Sequence, residues 1–204
     1  MEGELGMKHM VITIGCEYGS GGPEIGKAIA ERLGIEYYNR DLVDQVVEQI
    51  GVERDLVAKA DEGNNVMYSF ETNYGRRYAN LTNRVIYTQF EVIQKFAEQS
   101  SCVIIGRCSD YILRERDDVL NIFIYAPEEI RVKSVMEQEH ISARRARDLI
   151  KTNDEMMHTR YKYMTGTYRG DRHNRHMLID SSVLGWAKTV DYIMQMIDLR
   201  FEDK

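Results

Sequence analysis

The sequence predicts an α/β fold in which a mainly parallel sheet carries helices on both faces. Three observations lead there. Short β-branched apolar runs recur at residues 11–14, 102–106, 119–125 and 177–180, and runs of that length and composition read as strands buried on both sides. Segments with helical apolar spacing alternate with them, which requires parallel pairing through crossover helices. The first run also passes without a gap into a glycine-dense turn and an amphipathic helix, Val11-Ile12-Thr13-Ile14-Gly15-Cys16-Glu17-Tyr18-Gly19-Ser20-Gly21-Gly22-Pro23-Glu24-Ile25-Gly26-Lys27.

In that opening unit Gly19, Gly21 and Gly22 permit backbone angles and a closeness of approach that a Cβ forbids. Pro23 suits the first helical turn, where its missing N–H is not needed. Ile25, Ala28, Ile29 and Leu33 then recur at helical spacing, and Gly34 supplies the stop. Residues 35–38 read as a short second strand. Asn39-Arg40-Asp41 opens a helix to about Ile50, with Leu42, Val43, Val46, Val47 and Ile50 on one face. Between Gly51 and Gly75 the pattern weakens, and residues 61–65 read as an exposed turn. A long helix is expected over 77–99, then the strands 102–106 and 119–125. Helices follow over 128–139 and from Ser142, its cap, to about His158. The strand 177–180 and a helix over 184–201 complete the pattern. Ligands of such sheets gather at the C-terminal strand edge. That edge carries the Gly19 loop, Gly106-Arg107 and Asp180-Ser181.

Composition limits the function classes. With 204 residues, 43% hydrophobic and 29% charged, one soluble globular domain spanning 1–204 is expected. A formal net charge of -6 argues against a general nucleic-acid binder. No apolar run reaches membrane-spanning length, and no signal-peptide core is evident. Cys16, Cys102 and Cys108 are odd in number and lack paired metal spacing, as expected for a reducing cytoplasm.

The chemistry is read from the loops. Strand, glycine turn and helix N-terminus together make an anion cradle, because unpaired N–H groups and the positive end of the helix dipole converge there. The phosphate-loop pattern G-x-x-x-x-G-K-[ST] has a literal match from Gly21 to Lys27, followed by Ala28. That frame buries Gly26 and Lys27 a turn inside the helix. The sounder frame runs from Glu17 to Gly22, with Gly22 at the lysine position and Glu24 at the Ser/Thr position. Gly19, Ser20, Gly21, Gly22 and Glu24 are then the cofactor-binding candidates. The alternative is a strand-to-helix turn whose glycines serve geometry alone. Arg107, after a buried strand and a glycine, is placed to clamp a second phosphate or to pair with a nearby carboxylate. Arg144, Arg145 and Arg147 read as a solvated helix face. From Lys151 to Arg172, Arg160, Lys162, Arg169 and Arg172 alternate with Tyr161, Tyr163 and Tyr168 around Gly166 and Gly170. This reads as a lid closing over phosphates, or else as an exposed basic loop or subunit contact. His173 and His176 lack a third ligand, and no serine or cysteine sits in a nucleophile turn.

These residues resemble the cytidylate kinase-like family, a divergent branch of the P-loop nucleoside monophosphate kinases, from about Val11 to Leu199. The most specific piece is Glu17-Tyr18-Gly19-Ser20-Gly21-Gly22 followed by Glu24-Ile25-Gly26. Val103-Ile104-Ile105-Gly106-Arg107-Cys108-Ser109-Asp110-Tyr111, Tyr161-Lys162-Tyr163-Met164-Thr165-Gly166 and Leu178-Ile179-Asp180-Ser181-Ser182 support it. The resemblance implies a three-layer P-loop fold with a helical monophosphate-binding insertion at about 53–84 and a lid at about 153–174. It implies an ATP- and Mg2+-dependent transferase acting on a nucleoside monophosphate, CMP favoured. Arg107 and Arg160 are the implied catalytic residues. Arg107, Asp110, Asp154 and Arg160 are the implied substrate-binding set, Asp110 or Asp154 also positioning magnesium, with the metal ligands otherwise unassigned. Small-molecule nucleotides are the implied partners, without nucleic acid or membrane; a homo-oligomer is compatible with it.

The chain also departs from that pattern. Gly22 stands where ordinary cytidylate kinases have the loop lysine, and Cys108 where they have aspartate. In the lid, Asn153 and Met157 fall where they have arginine and aspartate, while Asp154 and Arg160 match. Relatives in the divergent branch often have arginine at the positions of Cys16 and Pro23. Arg107, Arg160 and Arg169 are the candidates for a replacement cation. The alternative function is a nucleotide-binding sensor that does not turn over.

Overall fold

The computed structural model describes residues 9–39, 51 and 73–201. The expected helix at 41–50, the turn at 61–65 and most of the insertion at 53–84 lie outside the described residues. Among the described residues five strands form one sheet: β1 (Val11–Cys16), β2 (Glu36–Tyr38), β3 (Cys102–Ile105), β4 (Val119–Tyr125) and β5 (Met177–Asp180). Helices α1 (Gly22–Leu33), α2 (Asn73–Gln99), α3 (Ser109–Ile112), α4 (Glu128–Glu139), α5 (Ala143–Thr165) and α6 (Ser181–Phe201) connect and cover them.

The strand order is β2-β3-β1-β4-β5, and every described pairing is parallel. Parallel strands must have both faces covered. One face packs Ile12, Ile14, Ile122 and Ile124 against Ile25 and Ile29 of α1 and Ile193 and Ile197 of α6. The other packs Val11, Ile104 and Val119 against Val92, Ile93 and Ala97 of α2. A smaller cluster, Val132, Val135, Ala146 and Ile150, joins α4 to α5 and takes Tyr18 of the glycine loop on its edge. The α/β expectation is met, with all described strands parallel.

This order determines where the loops meet. β1 is central, between β3 and β4, with Ile14 opposite both Ile105 and Ile122. The Gly106 N–H donates to the Ile14 carbonyl at 2.9 Å. The turn after β3 therefore leaves the sheet beside the glycine loop.

Several boundaries differ from the periodicity reading, the start of α6 at Ser181 rather than 184 among them. Helix α5 runs past His158 to Thr165, where Gly166 caps it in a left-handed conformation (φ 73°). Its last turns are held by buried Arg160 and Tyr161, contacts that local spacing does not show. Helix α2 begins at Asn73 rather than 77. The single turn α3 was not expected, being too short for a period to register.

Burial of the thiols makes stability sensitive to alkali. Cys102 and Cys108 are raised from 9.0 to about 12, and Cys16 to about 11, chiefly by burial. Unfolding returns each thiol to its ordinary value, so above pH 9 the unfolded chain sheds protons that the fold retains. The stabilisation is complete below about pH 9 and declines as pH rises toward 11–12. Urea midpoints measured from pH 8 to pH 11 are expected to fall along this range. A flat profile would show that the thiols ionise freely in the folded state.

Candidate active site

The glycine loop is shaped by contacts as well as by backbone angles. Gly19 and Gly21 have φ of 81° and 84°, a region that favours glycine. A Cβ on Gly21 would overlap the Trp186 indole. A Cβ on Gly22 would lie 2.5 Å from the Cys16 sulfur, so the lysine position is filled from the side by Cys16. The first helical hydrogen bond is Ile25 N–H to Gly21 carbonyl, 2.9 Å. The N–H groups of Gly22 and Glu24 lie in the first turn, ahead of the intrahelical ladder. The literal Gly21-to-Lys27 match is an accident of composition. Gly26 packs on Ile105 inside α1, and Lys27 is solvent-exposed beside Glu31.

A cavity of about 360 Å³ opens onto this loop, lined by Gly19, Gly21 and Glu24, and by Arg107, Asp110 and Arg160 from outside it. Gly106, Arg107 and Cys108 have φ of 66°, 55° and 56°, three successive left-handed residues. Two of them are not glycine, at a cost of about 1–2 kcal/mol each. Such a turn swings the chain from β3 into α3 at the cavity wall. Arg107 is buried there. Arg160 comes from α5 and donates to the buried Gln89 of α2. Glu24, in the exposed first turn of α1, accepts from Gln138 at 3.0 Å.

Other expected residues are committed to the protein. The Ser20 hydroxyl donates to the Glu17 carbonyl at 2.8 Å and is buried, its N–H donates to the same carbonyl at 3.2 Å, and its own carbonyl accepts from the Ser181 hydroxyl at 2.7 Å. Asp110 accepts from the Tyr161 hydroxyl at 2.6 Å and from Arg175 in a buried ion pair. Asp154 accepts from the Tyr18 N–H at 2.9 Å and from Arg131 at 2.5 Å. It lies in a wider cavity of about 620 Å³ with Glu17, Phe123 and Arg169. The Arg169 guanidinium lies between the two cavities and donates to the Cys16 carbonyl.

Residues 11–183 match the model of the cytidylate kinase-like family. The chain belongs to that family. It is 26% identical over 190 residues to a cytidylate kinase of Methanococcus vannielii, covering 92% of this chain and 99% of that one. A cytidylate kinase of Methanopyrus kandleri is 24% identical over 198 residues, with 93% of each chain covered. Among solved structures, an uncharacterized protein from Eubacterium ventriosum superposes with a TM-score of 0.74 at 25% identity, over 93% of this chain and 99% of that one. A shikimate kinase from Bacteroides thetaiotaomicron superposes with a TM-score of 0.55 at 12% identity, over 93% of this chain and 98% of that one. The latter shows the P-loop kinase fold alone.

Two arginines that hold residues of the cavity walls escaped the sequence reading. Arg131, in the first turn after β4, binds the Ala126 and Tyr18 carbonyls at 3.0 and 3.2 Å and Glu17 at 3.3 Å. Its signal was the one that singled out Arg107, an arginine soon after a buried strand. Arg175 carried no such signal, since it precedes its strand. The remaining histidine question is structural. His176 Nδ1 accepts from the Asn121 N–H at 2.9 Å, and burial, then Arg200, push its pKa down. Among the described residues no three His, Cys, Asp or Glu side chains form a metal-holding group. No described helix is long and apolar enough to cross a membrane.

Proposed function

We propose that this chain transfers the γ-phosphate of ATP to a nucleoside monophosphate, with CMP the favoured acceptor. The observation carrying this reading is that Arg107 and Arg160, from different elements, open into the same cavity as the glycine loop. Two arginine-lined phosphate positions beside a backbone anion cradle suit phosphoryl transfer, which depends on positioning and charge neutralisation. An acceptor phosphate oxygen forms the new bond to the γ-phosphorus as the bond to the β-bridging oxygen breaks and ADP leaves. No protein nucleophile is required, and the thiols facing the cavity, Cys16 and Cys108, are held protonated at neutral pH by burial.

In this reading the backbone of Gly19 to Gly22 holds the donor phosphates, Arg107 the acceptor phosphate, and Arg160 the group in transit. Residues 153–174 act as the lid, and the insertion at about 53–84 receives the acceptor. Magnesium in such sites is held by one or two carboxylates together with substrate phosphates. Glu24 meets that description, since it faces the cavity from the first turn of α1 with an amide as its partner. Asp110 and Asp154 stay in the substrate set through the arginines they hold.

A second reading, a nucleotide-binding sensor without turnover, is favoured by one observation. Cys16 occupies the space a Gly22 side chain would need. Incubation with magnesium-ATP and a panel of nucleoside monophosphates, with products separated by chromatography, distinguishes the two. A diphosphate above the no-acceptor control is expected, greatest with CMP. Nucleotide binding without any diphosphate would select the sensor.

A further inference from the structure

We propose that Arg169 is the cation of the glycine loop, taking an oxygen of the bound phosphates in place of the absent lysine. Three observations combine. First, the lysine position is closed, because Gly22 faces the Cys16 sulfur. Second, Arg169 lines the cavity of the glycine loop and reaches the same residue, its guanidinium donating to the Cys16 carbonyl. Its other near neighbours are the Met157 sulfur at 3.2 Å and Asp154 at 3.6 Å. A carbonyl and a thioether accept hydrogen bonds without cancelling charge, and Asp154, an ion-pair partner of Arg169 at 3.6 Å, is shared with Arg131, which holds it at 2.5 Å. The Arg169 side chain is 12% exposed, so its field is poorly screened.

Third, this corner already holds an anionic group. The Asp154 carboxylate sits on the Tyr18 N–H of the loop, with Arg131 at 2.5 Å and Arg169 at 3.6 Å. A loop N–H and two guanidinium groups, balanced there by Asp154 and by Glu17 at 3.3 Å from Arg131, show a seat for negative charge, and a phosphate oxygen would take it from the cavity that Arg169 shares with Gly19 and Gly21. Arg169 is held in place by its flanks. It lies between Gly166 and Gly170, left-handed at 73° and 80°, and a Cβ on Gly170 would touch the Phe123 ring at 3.0 Å.

The identity of the anion as a donor phosphate rests on the phosphotransfer reading; the seat itself does not. The test therefore uses inorganic tripolyphosphate as its probe, read by calorimetry and thermal shift at low salt. The wild-type chain is expected to bind it. Arg169→Ala should bind about 10- to 100-fold more weakly. Arg169→Gln, which can still donate to the Cys16 carbonyl, should lose affinity to a similar degree because the charge is gone. Equal affinity in wild type and Arg169→Gln would overturn the proposal, as would absence of tripolyphosphate binding to the wild type. Arg169-dependent binding without diphosphate formation from magnesium-ATP would uphold this inference while defeating the kinase reading.

Discussion

Arg160→Ala is expected to lower diphosphate formation by roughly 10²- to 10³-fold, the usual effect of removing one preorganised donor from a developing charge. Arg160 projects from α5 into the cavity and is oriented by Gln89 of α2. Alanine removes the charge and leaves the amide without this partner, while the sheet and its two covering layers are untouched. On the proposed reading the deficit should appear in kcat at saturating acceptor, since Arg160 there meets the group in transit. Gln89→Ala should give a smaller loss, because it disturbs the orientation and keeps the charge. Circular dichroism and the urea midpoint of Arg160→Ala serve as the folding control. A variant that is folded and as active as wild type would remove Arg160, and with it the lid at 153–174, from the mechanism.

Arg175→Ala should destabilise the fold by about 3–5 kcal/mol, the effect of stranding one member of a buried ion pair. The Arg175 and Asp110 side chains are 1% and 8% exposed. Arg175 is flanked by the rings of Phe123 and Tyr161, with its guanidinium carbon 5.7 and 5.5 Å from their centroids. Removing it leaves the buried Asp110 carboxylate with the Tyr161 hydroxyl and without its ion-pair partner. Urea unfolding is the measurement, with a lower midpoint and an unchanged slope expected. Arg175→Met combined with Asp110→Leu should recover much of the loss, because a buried pair contributes little net stability over apolar groups of similar volume. A loss below about 1 kcal/mol in the single variant would mean that water reaches Asp110.

These expectations reflect where the site was legible. The glycine loop, its frame and the nearness of Gly106-Arg107 all followed from short-range pattern. A strand, a glycine turn and a proline at the helix start constrain one another within a few residues. Arg107 needed only its position after a buried strand. The roles of the carboxylates did not follow, because Asp110 and Asp154 take their meaning from Arg175 and Arg131, which lie far away in sequence.

By itself, then, the chain's local order determined an α/β sheet with a glycine loop at the C-terminal edge of its first strand, and arginines near it. Only the tertiary structure decided which partner each arginine meets. Arg160 meets Gln89, Arg175 meets Asp110, and Arg169 meets Cys16 across separations of 71, 65 and 153 residues. The reason is physical. Periodicity records which face of an element is apolar, whereas the partner of a buried charge depends on strand order. Placing β1 between β3 and β4 brings the loop, the Arg107 turn and the end of α5 to one edge.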